Sequence, residues 1–508
     1  MILTSCLYLT FLVILLFLYY IIPKKMQWML LLAFSLLFII ASTSDIKVYF
    51  YIIYLVLVSF IGSNLIGKAE TEKRKKTIQT ITVILMFAQL FFLKYLDFAG
   101  SSIVNIINLF GVNLSWPTFS IIAPIGVTFY TLIAIGYVID VGRGITEPQR
   151  NILKHSLYVL YFPQLTSGPF TRYTEMKDTL YAKHEFDLQN ICFGFQRIIW
   201  GIFKKLIITE RMAIIVNTVF ENYREFPGIY IVIGTIAFAI QLYTDFSGCM
   251  DIVLGTSETL GIKLPENFDT PFFSKNISEY WRRWHITLGT WFKDYFFYPI
   301  LKSNIFQNLQ SKCKKRFGKK WGKKIPTYLG MFILWFTVGA WHGGDTKYII
   351  GSGILHWFYI VSGEILQPVF DKIGKILHIN KERFAFKIWQ MVRTFTLVCI
   401  GFIFFRANST LDALKMIKRI FVNNYGEIFS GAMLNLGLDF PDLNIAFVGI
   451  LALFMISILK QKYKIREQIQ NQHIAVRYTI WISLIVFILV FGFYGTGYDA
   501  TSFIYQNF

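Results

Sequence analysis

Charged residues are scarce in this chain of 508 residues. Asp, Glu, Lys and Arg make up 16% of it, whereas 55% is hydrophobic and 18% is aromatic. Soluble domains carry about 25% charged residues, so this composition excludes an ordinary soluble protein and indicates a membrane protein. The formal net charge is +20, but the basic residues cluster between long apolar runs, as they do in cytoplasmic loops. The charge therefore predicts topology and not a nucleic-acid partner.

Cysteine is also rare, and several catalytic signatures are missing. The five cysteines are odd in number and widely spaced, which predicts neither a disulfide framework nor a zinc site. No Walker A sequence, dinucleotide glycine fingerprint, zinc-protease histidine pair or Gly-x-Ser-x-Gly elbow occurs. These absences disfavour ATP-driven transport by this chain alone, and we expect neither a metal ion nor a bound cofactor.

Long apolar runs account for most of the sequence. A run of about 20 residues spans the hydrocarbon core, and about twelve such runs are present. They lie near residues 2–22, 27–43, 46–66, 77–96, 119–140, 190–218, 228–255, 327–343, 346–367, 389–406, 443–460 and 476–495. Two more segments, near 154–170 and 285–301, are broken by proline or charge and are expected to be re-entrant or interfacial. The sequence thus predicts an all-α polytopic membrane protein.

Lys and Arg divide unevenly between the two sides of this topology. Clusters near 24–25, 68–76, 143–150, 312–324, 372–387 and 460–466 fall on one side, which should be cytoplasmic. Both termini are then extracytoplasmic. The basic run 312–324 either binds anionic membrane lipids, at about 1 kcal/mol per residue, or is a solvated topogenic loop. We divide the chain into N-terminal transmembrane helices (1–118), a catalytic core (119–410) and a C-terminal part (411–508) with an extracytoplasmic segment and the last helices.

Three of the seven histidines lie in apolar surroundings. His342 follows an apolar run ending in Trp341, and an imidazole there could act as a general base or could merely bond between helices. His285 ends a basic, aromatic stretch and could position a substrate, share protons with His342 or pin a re-entrant loop. His356 is expected to be a packing residue.

Other polar residues share this neighbourhood. Asp245 lies late in an apolar span, where a carboxylate is expected to face a cavity or a basic partner. Arg282 and Arg283 could clamp phosphate groups or anchor the chain at the cytoplasmic surface. The segment 161–173 contains two prolines and ends in Arg172 and Tyr173, which is typical of a turn that lines a cavity.

Several sequence blocks together resemble one enzyme family. They are Phe162-Pro163-Gln164-Leu165 with Gly168-Pro169 and Arg172-Tyr173, Gly194 to Lys205, Asp245-Phe246-Ser247-Gly248, Leu264 to Phe268, Trp281 to Leu288, Trp291 to Tyr295, Trp341-His342-Gly343 and Phe404 to Ala407. In order and spacing they are similar to the membrane-bound O-acyltransferase (MBOAT) family, in particular its bacterial alginate O-acetyltransferase branch. The resemblance runs through roughly residues 120 to 410.

The resemblance implies an acyl transfer inside a tunnel enclosed by the helices. His342 takes the position of the essential family histidine and His285 that of the second. We also expect substrate-binding or tunnel-lining roles for Trp341, Asp245, Trp281, Arg283, Trp284 and Arg172. In this branch a cytoplasmic thioester such as acetyl-CoA donates the acyl group, which crosses the cell membrane. A separate extracytoplasmic SGNH-type, hydrolase-like partner then completes transfer to a polysaccharide.

Two other functions are weighed against this one. The same site could transfer D-alanine from a carrier protein to teichoic acid. A non-enzymatic transporter or channel would need no histidine pair, and the inverted repeats typical of many transporters are not evident in the sequence.

Overall fold

The computed structural model describes residues 2–43, 45–117, 124, 126–343, 345–422 and 436–494. Helices dominate these residues, and the pairing of Phe268 with Trp284 is an isolated antiparallel bridge outside any strand. Gly344, two residues after His342, lies outside the described residues, as do residues 423–435 and 495–508 of the predicted C-terminal part. The all-α architecture is confirmed.

Eight helices among the described residues are long and apolar enough to cross a membrane. They are Lys24–Ser42, Ile46–Lys68, Glu72–Asn108, Gly228–Thr259, Thr346–Ile376, Phe384–Arg406, Phe440–Lys460 and Ile474–Phe491. Two of the expected spans correspond to shorter apolar helices, Cys6–Ile21 and Val127–Gly142. The remaining two, near 190–218 and 327–343, lie in other helical stretches, and the first of these carries several buried charged side chains.

The chain forms two compact units. Unit 1 comprises residues 1–206, 245–266 and 469–508, and unit 2 comprises 207–244 and 267–468. The boundaries of these units differ from the three-part division expected from the sequence. That three-part division remains a prediction.

Unit 1 contains both long and short helices. Besides the spans already named, they include Ile152–Leu160, Phe162–Leu165, Tyr173–Leu180 and Leu188–Phe203, the last continuing into a π-helical turn at Lys204. Leu188–Phe203 packs tightly on the C-terminal half of Gly228–Thr259. A Cβ atom on Gly201 would lie 2.5 Å from the carbonyl oxygen of Gly248, and one on Gly194 would lie 2.6 Å from that of Gly255. Small residues thus let the two backbones approach closely, as is common between membrane helices.

Unit 2 contains the remaining helices. They include Glu210–Glu221, Ile277–Arg283, Ile286–Phe292, Tyr298–Lys302, Asn304–Trp341, Leu355–Ile376, Phe384–Arg406, Thr410–Val422 and Phe440–Lys460, together with π-helical turns at Lys293–Phe297 and Ile349–Ile354.

The stretch Asn304–Trp341 is a helical hairpin and not one straight helix. Gly318 has φ +77°, a left-handed conformation that glycine adopts without steric cost. A Cβ atom on Gly322 would lie 2.5 Å from Cα of Lys314, so the chain folds back on itself at Gly318. The basic run 312–324 therefore forms the tip of this hairpin, where the sequence suggested a loop.

The C-terminal arm of the hairpin is held close to its neighbours in unit 2. A Cβ atom on Gly339 would lie 2.7 Å from Cα of Ile349, and one on Gly353 would lie 2.5 Å from the carbonyl oxygen of Trp335. The π-helical turn Ile349–Ile354 packs in turn on Phe384–Arg406, where Gly351 meets Gly401. This close packing places the end of the hairpin next to Phe405.

Candidate active site

The two units divide the residues predicted to form the site. Unit 2 holds His342, His285, Trp341, Trp281, Arg283 and Trp284, and unit 1 holds Asp245 and Arg172. Each group is described within its own unit.

His342 lies at the point where the long hairpin arm ends. The helix finishes at Trp341, and the backbone N–H of His342 closes the last turn by donating to the carbonyl of Gly339 at 3.3 Å. The side chain is buried, and its ring centroid is 5.5 Å from that of Phe405 in an edge-on arrangement. The imidazole is therefore enclosed by aromatic rings, and Phe405 belongs to one of the family-like blocks seen in the sequence.

His285 lies in a sharp turn between the helices Ile277–Arg283 and Ile286–Phe292. Its φ and ψ are 49° and 50°, a left-handed conformation that is uncommon for residues with a side chain. The turn is stabilised by pairing with the segment before it: Ile286 N donates to the carbonyl of Asn267 at 3.0 Å, and Asp269 N donates to that of Arg283 at 2.9 Å. Such strain often accompanies a functional residue, because the surrounding contacts hold the side chain in one orientation.

Trp341 brings the two histidines together. Its ring centroid is 4.8 Å from that of His342 and 6.2 Å from that of His285. All three side chains are buried, and the two imidazoles lie beside the same indole. The sequence separates these histidines by a helical hairpin, so their meeting around one indole is a result of the fold.

Asn267 is a partner of His285 that sequence reasoning did not single out. Its side-chain oxygen lies 3.2 Å from Nδ1 of His285, and it also accepts from the backbone N–H of Thr287 at 3.1 Å and from the Thr287 hydroxyl at 3.0 Å. Asn267 occurs in the block Leu264 to Phe268, but its role depends on a contact across 18 residues that no local pattern predicts.

His356 has a more definite role than the packing expected of it. The indole N–H of Trp281 donates to Nδ1 of His356 at 3.2 Å, and the His356 ring stacks on Trp335 with centroids 5.7 Å apart. Trp281 in turn lies 4.9 Å from Trp335, centroid to centroid. This contact ties the short helix that precedes His285 to the helix Leu355–Ile376.

Trp284 and Arg283 are mainly engaged with other protein groups. The Trp284 ring is buried and stacks on Tyr280, with the edge of Phe268 5.0 Å away between centroids. Arg283 forms an ion pair with Glu279 at 3.0 Å, and Asp269 lies 3.7 Å away. In this arrangement Trp284 anchors the core, and Arg283 links the paired segments. Their contact with a substrate stays a prediction.

Asp245 in unit 1 has the basic partner expected of it. Lys205 Nζ lies 2.7 Å from the Asp245 carboxylate, and both side chains are almost completely buried. Neighbouring residues form a second set of ion pairs: Lys204 bonds Asp251 at 2.6 Å, and Arg197 bridges Asp251 at 3.0 Å and Glu266 at 2.6 Å. Lys204 and Lys205 begin a π-helical turn, a feature often found at functional sites.

Arg172 ends a buried segment of unit 1. Its backbone N–H bonds the Glu175 carboxylate at 3.2 Å, at the start of helix Tyr173–Leu180. The preceding turn is stabilised from within: the Gln164 amide donates to the carbonyl of Pro169 at 2.9 Å, and the Tyr158 hydroxyl donates to that of Thr171 at 3.0 Å. The segment is a buried, hydrogen-bonded turn, and its contact with a substrate stays a prediction.

The fold and the site define a class of protein: a polytopic helical membrane protein that buries a histidine pair beside an indole. Residues 149–311 match the family model of the membrane-bound O-acyltransferases. A teichoic acid D-alanyltransferase of Bacillus subtilis is 30% identical over 328 residues, which cover 61% of this chain and 77% of that protein. The chain belongs to the membrane-bound O-acyltransferase family and is a multi-pass membrane protein.

Other relatives are named for other polymers. A "Probable alginate O-acetylase AlgI" of Pseudomonas syringae is 31% identical over 348 residues, covering 68% of this chain and 60% of that protein. A peptidoglycan O-acetyltransferase of Helicobacter pylori is 26% identical over 383 residues, covering 70% and 66%. The match thus spans about three fifths of the length of the alginate O-acetylase.

Proposed function

We propose that this protein is an O-acyltransferase that moves an acyl group, in the leading case acetyl, from a cytoplasmic thioester such as acetyl-CoA across the membrane for O-acetylation of an extracellular or cell-wall polysaccharide. The observation that carries the proposal is the meeting of His342 and His285 around Trp341 within a helical membrane unit. Family membership and the names of the acetyl-transferring relatives support it.

In the proposed reaction His342 is the general base. It takes the proton of an acceptor hydroxyl as the hydroxyl oxygen attacks the thioester carbonyl. The carbon–sulfur bond then breaks, and the departing thiolate takes the proton back from the imidazolium, so the products are an ester and a free thiol. His342 is buried beside Trp341 and Phe405, and a buried site of this kind protects a thioester from hydrolysis.

The experiment is substitution of His342 by Gln, which preserves size and some hydrogen bonding but removes the titratable nitrogen. The loss of a general base costs a factor of about 100 to 10,000 in rate. Acyl ester content of the surface polymer is measured in a deletion strain complemented with wild type, His342→Gln or His285→Gln. The variants must reach the membrane in wild-type amounts. Near-normal acylation by a well-expressed His342→Gln protein would rule out the general base.

We extend the proposal to location and partners. The protein resides in the cell membrane with both termini extracytoplasmic, as the Lys and Arg distribution indicates. An extracytoplasmic hydrolase-like protein of the SGNH type delivers the acyl group to the polymer. Co-purification of such a protein from solubilised membranes, followed by loss of polymer acetylation on its deletion, tests this part.

D-alanyl transfer to teichoic acid is the second candidate function. The observation in its favour is the B. subtilis relative, of which 77% is covered. The two functions differ in the ester they leave on the polymer, since mild base releases acetate in one case and D-alanine in the other. Release of D-alanine that depends on His342 would select the second function over the first.

A further inference from the structure

Two buried histidines of unit 2 hold hydrogen bonds that fix where their protons lie. A neutral imidazole has one N–H donor and one acceptor nitrogen, and the partner of either nitrogen decides which is which. His285 and His356 are both buried, and each has a partner on Nδ1. The partners are of opposite kinds.

At His285 the partner of Nδ1 is an acceptor. The Asn267 side-chain atom in question also receives the backbone N–H of Thr287 at 3.1 Å. A backbone N–H can only donate, so this atom of Asn267 is the amide oxygen and not the nitrogen. Nδ1 of His285, 3.2 Å from the same oxygen, must therefore carry the proton, and Nε2 is the nitrogen with the lone pair.

At His356 the partner of Nδ1 is a donor. The indole nitrogen of Trp281 can only donate, and it lies 3.2 Å from Nδ1. Nδ1 of His356 is therefore the acceptor, and in the neutral ring the proton lies on Nε2. The two histidines thus have opposite tautomers.

We propose that Asn267 is a positioning residue for acyl transfer: by accepting the Nδ1 proton of His285 it orients this imidazole and leaves Nε2 as a proton acceptor in the histidine pair. The proposal rests on the proposed function. The Thr287 bonds hold the Asn267 oxygen in place, and the backbone pairing of Ile286 with Asn267 at 3.0 Å fixes the distance between the two segments. His285 then receives a proton at Nε2, which suits it to share the proton taken up by His342.

The tautomers are measured without reference to activity. Protein labelled with ¹⁵N-histidine is reconstituted in lipid bilayers, and its solid-state ¹⁵N spectrum is recorded at a pH where the imidazoles are neutral. The signals of His285 and His356 are assigned from spectra of His285→Gln and His356→Gln. We expect an Nδ1–H form for His285 and an Nε2–H form for His356. An Nε2–H form at His285 would overturn the proposal.

Substitutions of the partner residues give the causal test. Asn267→Asp keeps an oxygen at the same place and should keep the Nδ1–H form, whereas Asn267→Leu should release it to a mixture of tautomers. Thr287→Val removes the hydroxyl donor to Asn267 but leaves the backbone N–H donor and the acceptor of His285, so it is the matched control and should keep the Nδ1–H form of His285. An Asn267→Leu spectrum like that of wild type would also overturn the proposal.

Activity supplies the last readout. Loss of the hydrogen-bond partner of a metal-bound histidine typically costs about 10- to 100-fold, and we expect Asn267→Leu to lower kcat by a similar factor with KM little changed. Asn267→Asp should rescue kcat, with the acidic limb of its pH–rate profile moved to higher pH, because a carboxylate favours the imidazolium form of His285. If wild type transfers no acyl group, the proposed function fails and the spectra still decide the tautomers. If wild type is active but Asn267→Leu keeps its kcat, the positioning role alone fails.

Discussion

The ion pair of Lys205 and Asp245 offers a quantitative test of how charge is held inside unit 1. The side chains are 3% and 0% exposed, and the charged atoms are 2.7 Å apart. Lys205→Met removes the cation, keeps a chain of similar length and leaves the Asp245 carboxylate buried without it. Breaking a buried pair in this way costs about 3–5 kcal/mol, or a change of about 100- to 4,000-fold in the unfolding equilibrium constant.

The double variant Lys205→Met/Asp245→Leu separates the charge from the packing. Because it removes both buried charges, it should recover most of the stability lost in either single variant. The exposed pair Lys464–Glu467, with side chains 80% and 56% exposed, provides the matched control. Lys464→Met removes an ion pair of similar length at the protein surface. Exposed pairs of this kind contribute about 0–1 kcal/mol to stability.

Pulse proteolysis across an SDS titration of the purified protein measures the free energy of unfolding for each variant. We expect Lys205→Met to unfold at much lower SDS mole fraction than wild type, and Lys464→Met to follow wild type closely. If Lys205→Met costs less than the control, or if the double variant is as unstable as the single one, the pair is not the buried electrostatic contact described above.

Two further predictions concern topology and helix packing. A cysteine in place of Lys319, at the tip of the hairpin, should resist an impermeant thiol reagent in whole cells and react after lysis. The reason is that Lys and Arg concentrate on the cytoplasmic side of the membrane. Labelling of this cysteine in intact cells would contradict the predicted orientation. Gly201→Ala should destabilise the protein by about 1–3 kcal/mol, since its Cβ would lie 2.5 Å from the Gly248 carbonyl oxygen. The control is Gly363→Ala, whose Cβ would meet nothing within 4 Å. This substitution should stabilise its helix by about 1 kcal/mol. Equal effects of the two alanines in the same SDS titration would contradict this packing argument.

The apolar runs were sufficient to predict the helical membrane fold, because hydropathy acts over about 20 consecutive residues and needs no long-range contact. The same reasoning could not find the turn at Gly318. The sequence around it is basic and polar, and a hairpin and a loop have the same composition there; only the left-handed backbone and the approach of Gly322 to Lys314 distinguish them.

Charged residues in apolar runs were a partial guide. Asp245 was expected to face a cavity or a basic partner, because a lone carboxylate is costly in the membrane. That partner is Lys205, which lies in a π-helical turn and bonds Asp245 on another helix. Arg283, considered as a phosphate clamp, pairs with Glu279 one helical turn before it, and a contact with phosphate stays a prediction. The sequence does not distinguish an arginine that binds a ligand from one that pairs with a nearby carboxylate.

The histidines show what residue type alone does not predict. Their apolar or aromatic surroundings in the sequence marked His285 and His342 as candidates, and the fold then placed both beside Trp341. His356 lies in an equally apolar segment, yet its partner is a donor where that of His285 is an acceptor. An imidazole acts as acid or base through one nitrogen at a time, so its chemistry depends on that partner. For His285 the deciding group is a neutral amide 18 residues away, which has neither charge nor periodicity to mark it.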